Sequence, residues 1–189
     1  MKIGLYFGSF NPIHVGHLII ANHIVNNCDL DQVWMVVSPQ NPLKPANLLN
    51  EYHRLHLVTL ATEDNIKLKP SDIEFKLPKP SYTIDTLTYL DEKYPQHRFS
   101  VIMGSDSYQN LYNWKNYEQI LKRYPVIVYQ RPGYVVKENQ SGTVVVTDAP
   151  LLDISASFIR KNIQEGRSIE YLVTEKVRTE IENNSYYKL

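Results

Sequence analysis

The chain reads as an α/β protein with a central, mostly parallel sheet and helices on both faces. Three observations predict this. Short apolar runs rich in β-branched residues alternate along the chain with stretches whose apolar residues recur at helical spacing. One run, Gln32 to Ser38 (QVWMVVS), is almost continuously apolar, as suits a strand covered on both faces of a parallel sheet. A strand, a tight turn and a helix precede it, so the order strand, helix, strand implies a right-handed crossover.

Taken in order, IGLYF (Ile3 to Phe7) predicts a short buried strand. Gly8 and Ser9 break it. Asn11-Pro12 then forces an extended or turn conformation, because proline disfavours helix at the residue before it. From Val15, the residues Leu18, Ile19, Ala21, Ile24 and Val25 recur at helical spacing. His14 and His17 stand three apart at that helix start, on one face. A helix start presents unpaired N–H groups and partial positive charge, which favour an anion. Two imidazoles beside it add donors for a phosphate. The plainer reading is that the two histidines cap the helix.

The loop Pro39 to Pro45 (PQNPLKP) holds three prolines and leaves the carboxyl end of the second strand, where open α/β sheets place ligands. Lys44 is its one charge, and a solvated side chain is the alternative to a ligand contact there. Glu51 to Glu63 predicts an amphipathic helix; His53 and His56 on it lack a third metal ligand and read as surface residues. Ile66 to Phe75 alternates weakly and predicts one strand or two short ones. Ser81 or Tyr82 starts a helix stopped by Pro95, with Ser81 as N-cap and Asp85 in the first turn. Phe99 to Met103 predicts a buried strand. In the following Gly104-Ser105-Asp106, glycine lets a ligand approach the backbone. Asp106 either accepts from a ribose hydroxyl or caps the next helix.

Asn113-Trp114 precedes a polar helix, Asn116 to Lys122. Pro125 to Gln130 and Thr143 to Thr147 predict two further strands, with a polar loop from Val135 to Gly142 between them. Ser155 is the expected cap of a helix whose Phe158, Ile159 and Ile163 face a core, with Arg160 on its second turn and Gly166 at its end. A last helix spans about Thr174 to Glu182.

At ~100–200 residues per domain, 189 residues predict one domain, 1–189. Twenty Lys and Arg against twenty Asp and Glu leave no net charge, which argues against a nucleic acid or membrane surface held mainly by charge. A local basic pocket stays compatible with that balance. The lone Cys28 excludes an internal disulfide and suggests a reducing compartment. No signal-like segment opens the sequence, and no apolar run approaches the ~18 residues of a membrane span. The expectation is a soluble, cytoplasmic protein, with a homo-oligomer left open and the sequons at Asn139 and Asn183 read as chance.

The opening motif, GSFNPIHVGH, resembles the (T/H)xGH signature of the nucleotidyltransferase superfamily, whose members share a Rossmann-like fold. Phe7 stands where many members have Gly, and Asn11 where most have Asp. ISASFIR (Ile154 to Arg160) resembles the superfamily's ISSTxIR, about 140 residues further on. The middle of the chain is similar to the nicotinate-nucleotide adenylyltransferase family: PQNPLKP, SYTIDTL, GSD followed by Trp114, and RPGY carry the likeness.

That resemblance implies a Rossmann-like nucleotidyltransferase fold and adenylyl transfer from ATP to nicotinate mononucleotide in NAD biosynthesis. It implies His14, His17 and Arg160 at the reacting phosphates. Gly8, Ser9, Phe10, Gly104, Asp106, Ile154 and Ser157 would bind ATP. Lys44, Thr83 and Trp114 would bind the mononucleotide. Mg²⁺ would come with the ATP phosphates, with no metal site of protein ligands. Phosphopantetheine adenylyltransferase shares both terminal motifs and is the rival enzyme; a nucleotide-binding sensor without turnover is the rival of another class.

Overall fold

The computed structural model describes residues 1–40, 48–136, 143–146 and 148–188, with only the backbone given at 144 and 145. The first strand, β1 (Lys2–Gly8), leads into α1 (Val15–Asn27) and then β2 (Gln32–Val37). Next come α2 (Glu51–Thr62), β3 (Leu68–Ser71), α3 (Thr83–Lys93) and β4 (Arg98–Gly104). A short α4 (Ser105–Gln109), α5 (Tyr117–Arg123), β5 (Val126–Tyr129) and β6 (Thr143–Val146) follow, and α6 (Ala156–Gln164) and α7 (Glu175–Asn183) close the chain.

Among the described residues the strands form one six-stranded sheet in the order β3-β2-β1-β4-β5-β6, parallel at every pairing. The chain runs outward from β1 to β3, then returns to the other side of β1 with β4. The switch point lies between β1 and β4, and ligands bind outside the carboxyl ends of strands at such a point.

Alternation along the strands fills two cores, one on each face. Ile3 and Leu5 of β1, Val101 and Met103 of β4, and Val126 and Val128 of β5 pack with Ile84, Leu87 and Ile120 from α3 and α5. Tyr6, Val33, Met35, Ile102 and Ile127 point the other way, onto Ile20 and Ile24 of α1, Leu57 of α2, Ile159 of α6 and Ile181 of α7. Both faces being apolar is why the strands read as continuous apolar runs. None of the helices among the described residues is long and apolar enough to cross a membrane.

Three local expectations need correction, and a fourth, taken first, is narrowed to one of its alternatives. Between Ile66 and Phe75 there is one short strand, β3, and then a 3-10 turn, Ile73–Lys76, rather than a second strand. Pro70 is tolerated because β3 is an edge strand, and the turn carries Glu74 inward to hydroxyl partners. Ser81 does not cap α3: Tyr82 is the N-cap, and the Ser81 hydroxyl donates to Glu74 Oε2 at 2.7 Å. Phe158 does not face the core but is 49% exposed, because Ile159 and Asn162 take the inward face of α6. Asn116 is not helical; it is the left-handed N-cap of α5, φ 51°, preceded by an unanticipated 3-10 turn at Leu111–Asn113.

Candidate active site

The cleft over the switch point, about 730 Å³, starts from the turn after β1. Phe10 takes a left-handed φ of 44° and folds its ring back over Gly8. A Cβ on Gly8 would lie 2.7 Å from that ring, so any side chain there would have to displace the buried Phe10 ring. Phe10 lines the cleft, but at 2% exposure most of its ring packs edge-on against Tyr6 and His17. Ser9 Oγ is buried in the wall without a hydrogen-bond partner.

The two histidines stand together, with ring centroids 3.7 Å apart. The His14 backbone N–H donates to Nδ1 of His17 at 3.3 Å. In the neutral ring this places the His17 proton on Nε2, which becomes its N–H donor. His14 Nδ1 is buried without a partner. Burial, with a lesser contribution from the charge of Arg131, lowers the His14 pKa to about 4. His14 is therefore neutral at pH 7 in the free protein. No acidic residue occupies the first turn of α1 or of α6, so both helix starts keep their positive character.

At α6 the Ser155 hydroxyl caps the helix, accepting from the Phe158 N–H at 3.2 Å. Arg160 donates from Nη1 to the Asn11 carbonyl at 2.6 Å and from Nη2 to Ser157 Oγ at 3.2 Å. The guanidinium thereby ties α6 to the β1 turn. Ile154, Ser157 and Arg160 all line the cleft.

After β4, the Ser105 hydroxyl accepts from the Arg131 N–H at 2.9 Å, and Arg131 Nη1 reaches Asp106 Oδ2 at 3.5 Å. Asp106 Oδ1 is buried and unpartnered in the wall. Asp106 does not cap α4: Gly104 is the N-cap and Asp106 lies in the first turn. A Cβ on Gly104 would come within 2.5 Å of Asp106 Oδ1, so glycine here makes room for that carboxylate. On the opposite side, Thr83 opens α3 and half-buried Trp114 faces the same cleft. Lys115 pairs with Asp85 at 2.9 Å and stands over the Tyr82 ring, 4.8 Å from its centroid, which joins the Trp114 loop to α3.

The structure thus brings the sequence-selected residues into one cleft, apart from Lys44, which lies outside the described residues. Four contributors were not singled out from sequence. Arg54, fully buried, donates to the carbonyls of Leu49, Ser9, Ser38 and Pro39 at 2.6 to 2.9 Å, clamping the ends of β1 and β2. Glu74 is 2% exposed and accepts from Ser81 and Thr86, with the Ser38 hydroxyl as a third partner; burial pushes its carboxyl up against the pull of these donors. Arg131 had a signal in RPGY, and Lys115 followed Trp114 directly. Among the described residues no group of three His, Cys, Asp or Glu side chains is placed to hold a metal ion.

A doubly wound parallel sheet whose switch-point cleft gathers two helix starts, two histidines and three cations defines a nucleotide-binding α/β protein built for phosphates. Comparison with known proteins narrows the class. A family model described as cytidylyltransferase-like matches residues 5–162. A Flavobacterium psychrophilum protein named "Probable nicotinate-nucleotide adenylyltransferase" is 54% identical over 192 residues, covering 100% of both chains. A Cytophaga hutchinsonii protein of the same name is 53% identical over 99% of this chain and 98% of its own. The Plasmodium falciparum nicotinic acid mononucleotide adenylyltransferase complexed with NaAD superposes with a TM-score of 0.86 at 21% identity, covering 98% of this chain and 97% of its own; it speaks for the fold. The chain belongs to the cytidylyltransferase-like nucleotidyltransferases and, within them, to the nicotinate-nucleotide adenylyltransferase family.

Proposed function

We propose that this enzyme transfers the adenylyl group of ATP to nicotinate mononucleotide, giving nicotinate adenine dinucleotide and pyrophosphate, as a cytoplasmic step of NAD biosynthesis. The observation that carries the reading is the Arg160 tie to the Asn11 carbonyl, 2.6 Å across 149 residues. It sets two phosphate-type helix starts, α1 and α6, around one cleft, as a triphosphate requires.

An oxygen of the mononucleotide phosphate attacks the α-phosphorus of ATP in line. The bond from that phosphorus to the oxygen bridging α and β breaks, and pyrophosphate leaves. The attacking oxygen is already anionic, so no general base is needed, and the protein's task is positioning and charge stabilisation. His17, with its proton on Nε2, donates to the α-phosphate as charge builds. His14 holds the attacking or bridging phosphate, and gains a proton more readily once an anion sits beside it. Arg160 offers its remaining donors to the β- or γ-phosphate and to leaving pyrophosphate. The turn after β1, Gly8 to Phe10, receives both nucleotides. Asp106 Oδ1, buried and unpartnered, suits a ribose hydroxyl.

Mg²⁺ carried by the ATP phosphates would keep most of its waters and need few protein ligands, which fits a cleft whose wall carboxylates are Asp106 and Glu74. When bound, it would neutralise charge on the phosphates, with Asp106 the wall carboxylate that would hold one of its waters. Thr83 and Trp114 take the pyridine ring, and Lys44 remains a proposed contact for the mononucleotide. The test is pyrophosphate release from ATP with nicotinate mononucleotide, nicotinamide mononucleotide and phosphopantetheine in turn. Turnover with phosphopantetheine alone, or with none of the three, would refute the proposal.

A further inference from the structure

We propose that Glu74 is a positioning residue for the mononucleotide: it holds the start of α3 toward the cleft as a receptor for the pyridine carboxylate. This rests on the adenylyl-transfer reading above and deepens it. The two Glu74 oxygens accept separately, from Ser81 Oγ at 2.7 Å and Thr86 Oγ1 at 2.9 Å. Those hydroxyls bracket the first turn of α3, which begins at Thr83. A buried carboxylate gripping both sides of a turn fixes the direction in which the turn points.

The same grip has a second effect. Hydroxyls beside a helix start ordinarily compete for its free N–H groups. Here both hydroxyls are turned toward Glu74 as donors, neither accepts from a first-turn N–H, and the N-cap Tyr82 makes no side-chain capping bond. The Tyr82 carbonyl satisfies the N–H groups of Asp85 and Thr86, at 3.0 and 3.1 Å. The N–H groups of Thr83 and Ile84 stay available at the positive end of α3, in the wall shared with Trp114. A carboxylate on a ring stacked against Trp114 matches those donors through charge-assisted bonds; an amide matches them less well.

Glu74→Gln is the direct test, because it keeps the shape and supplies one acceptor and one donor where two acceptors stood. One hydroxyl must then reverse or lose its partner. The expected result is a rise of about tenfold in KM for nicotinate mononucleotide, from the loss of one such bond, with KM for ATP nearly unchanged. The kcat/KM ratio of acid over amide mononucleotide should fall. Ser81→Ala, which leaves the buried carboxylate and Thr86 in place, should move the same parameters in the same direction, and combining it with Glu74→Gln should add little. If Glu74→Gln does not fold, Ser81→Ala decides alone. Equal losses for both substrates, or a lower melting temperature with unchanged kinetics, would make Glu74 structural and overturn the proposal. A rise in the acid-over-amide ratio would overturn it differently, by showing that Glu74 repels the substrate carboxylate. A wild-type protein that turns over neither mononucleotide would sink both this proposal and the functional reading, and that is seen before any variant is made.

Discussion

His14 is held neutral by burial, and this has a measurable consequence for stability. The ring takes up its proton near pH 6.5 in the unfolded chain and at about 4 in the folded one. Between those values the unfolded state binds more protons, so stability is complete above pH 6.5 and falls as the pH drops toward 4, by up to ~3 kcal/mol. His14→Gln should flatten that acid limb in denaturation series at stepped pH; an unaltered slope would show that other groups carry it. At His17 the expectation is kinetic. Its Nε2–H gains most as charge develops on the transferring phosphate, so His17→Ala should lower kcat by ~10²–10³ while ATP binding changes little. Near-normal turnover would remove His17 from the reaction. These two residues were legible in the sequence because their spacing and their place at a strand-to-helix turn are both local. Arg54 and Glu74 were not. A charged side chain on an amphipathic helix or in a weakly alternating stretch reads as solvent-facing. What draws these two inside is a set of carbonyls and hydroxyls up to 45 residues away, which only the fold assembles.

At the scale of elements, the helices with a clear apolar period were legible to within a residue or two: α2, α6 and α7 match their expected bounds, and α1 starts at Val15 as its apolar period places it. The first turn of α3 was harder, because Ser81 has ideal N-cap chemistry and a stronger partner in Glu74 that local sequence does not announce. The inward face of α6 was misjudged at Phe158 for a related reason: apolarity near a helix start does not say which of two adjacent positions faces the sheet. The β-strands were readable because both their faces are buried, which leaves little room for polar interruption. The element to which the proposed function assigns specificity is the Trp114 loop, held to α3 by Lys115 through its pair with Asp85 and its approach to the Tyr82 ring. Trp114 packs partly against the α3 core and presents the rest of its ring to the cleft. Trp114→Ala should therefore weaken both the acid and the amide mononucleotide by roughly the ~1–3 kcal/mol of an aromatic stacking contact and spare ATP. Separate titration of each nucleotide by calorimetry checks this; an equal loss for ATP would assign Trp114 to general packing.

At the scale of the whole molecule, the chain's zero net charge does not prevent a local gathering of cations. Arg131, Arg160 and Lys115 line one cleft at the switch point, whose wall carboxylates are Asp106 and Glu74. The Arg160 hydrogen bond to the Asn11 carbonyl sets the β1 turn, near the start of the chain, beside the first turns of α6, far along it, although the strand before α6, β6, is the far edge of the sheet. A ligand bridging the two binds only the folded state and must stabilise it by mass action. ATP at 100 times its dissociation constant contributes ~2.7 kcal/mol, which for a chain of this length corresponds to a rise of roughly 5–10 °C in melting temperature. Arg160 decides how much of that rise depends on the phosphates. In Arg160→Lys the charge stays, but the fork that spans the Asn11 carbonyl and Ser157, and on the proposed reading a phosphate, becomes a single point of contact. At a fixed ATP concentration the variant should show a clearly smaller thermal shift than the wild type, and a lower rate of pyrophosphate release. Adenosine, which lacks the phosphates, should shift both proteins equally. A variant whose melting temperature drops without ligand, yet whose ATP shift and turnover match the wild type, would leave Arg160 as a tie between α6 and the β1 turn and nothing more.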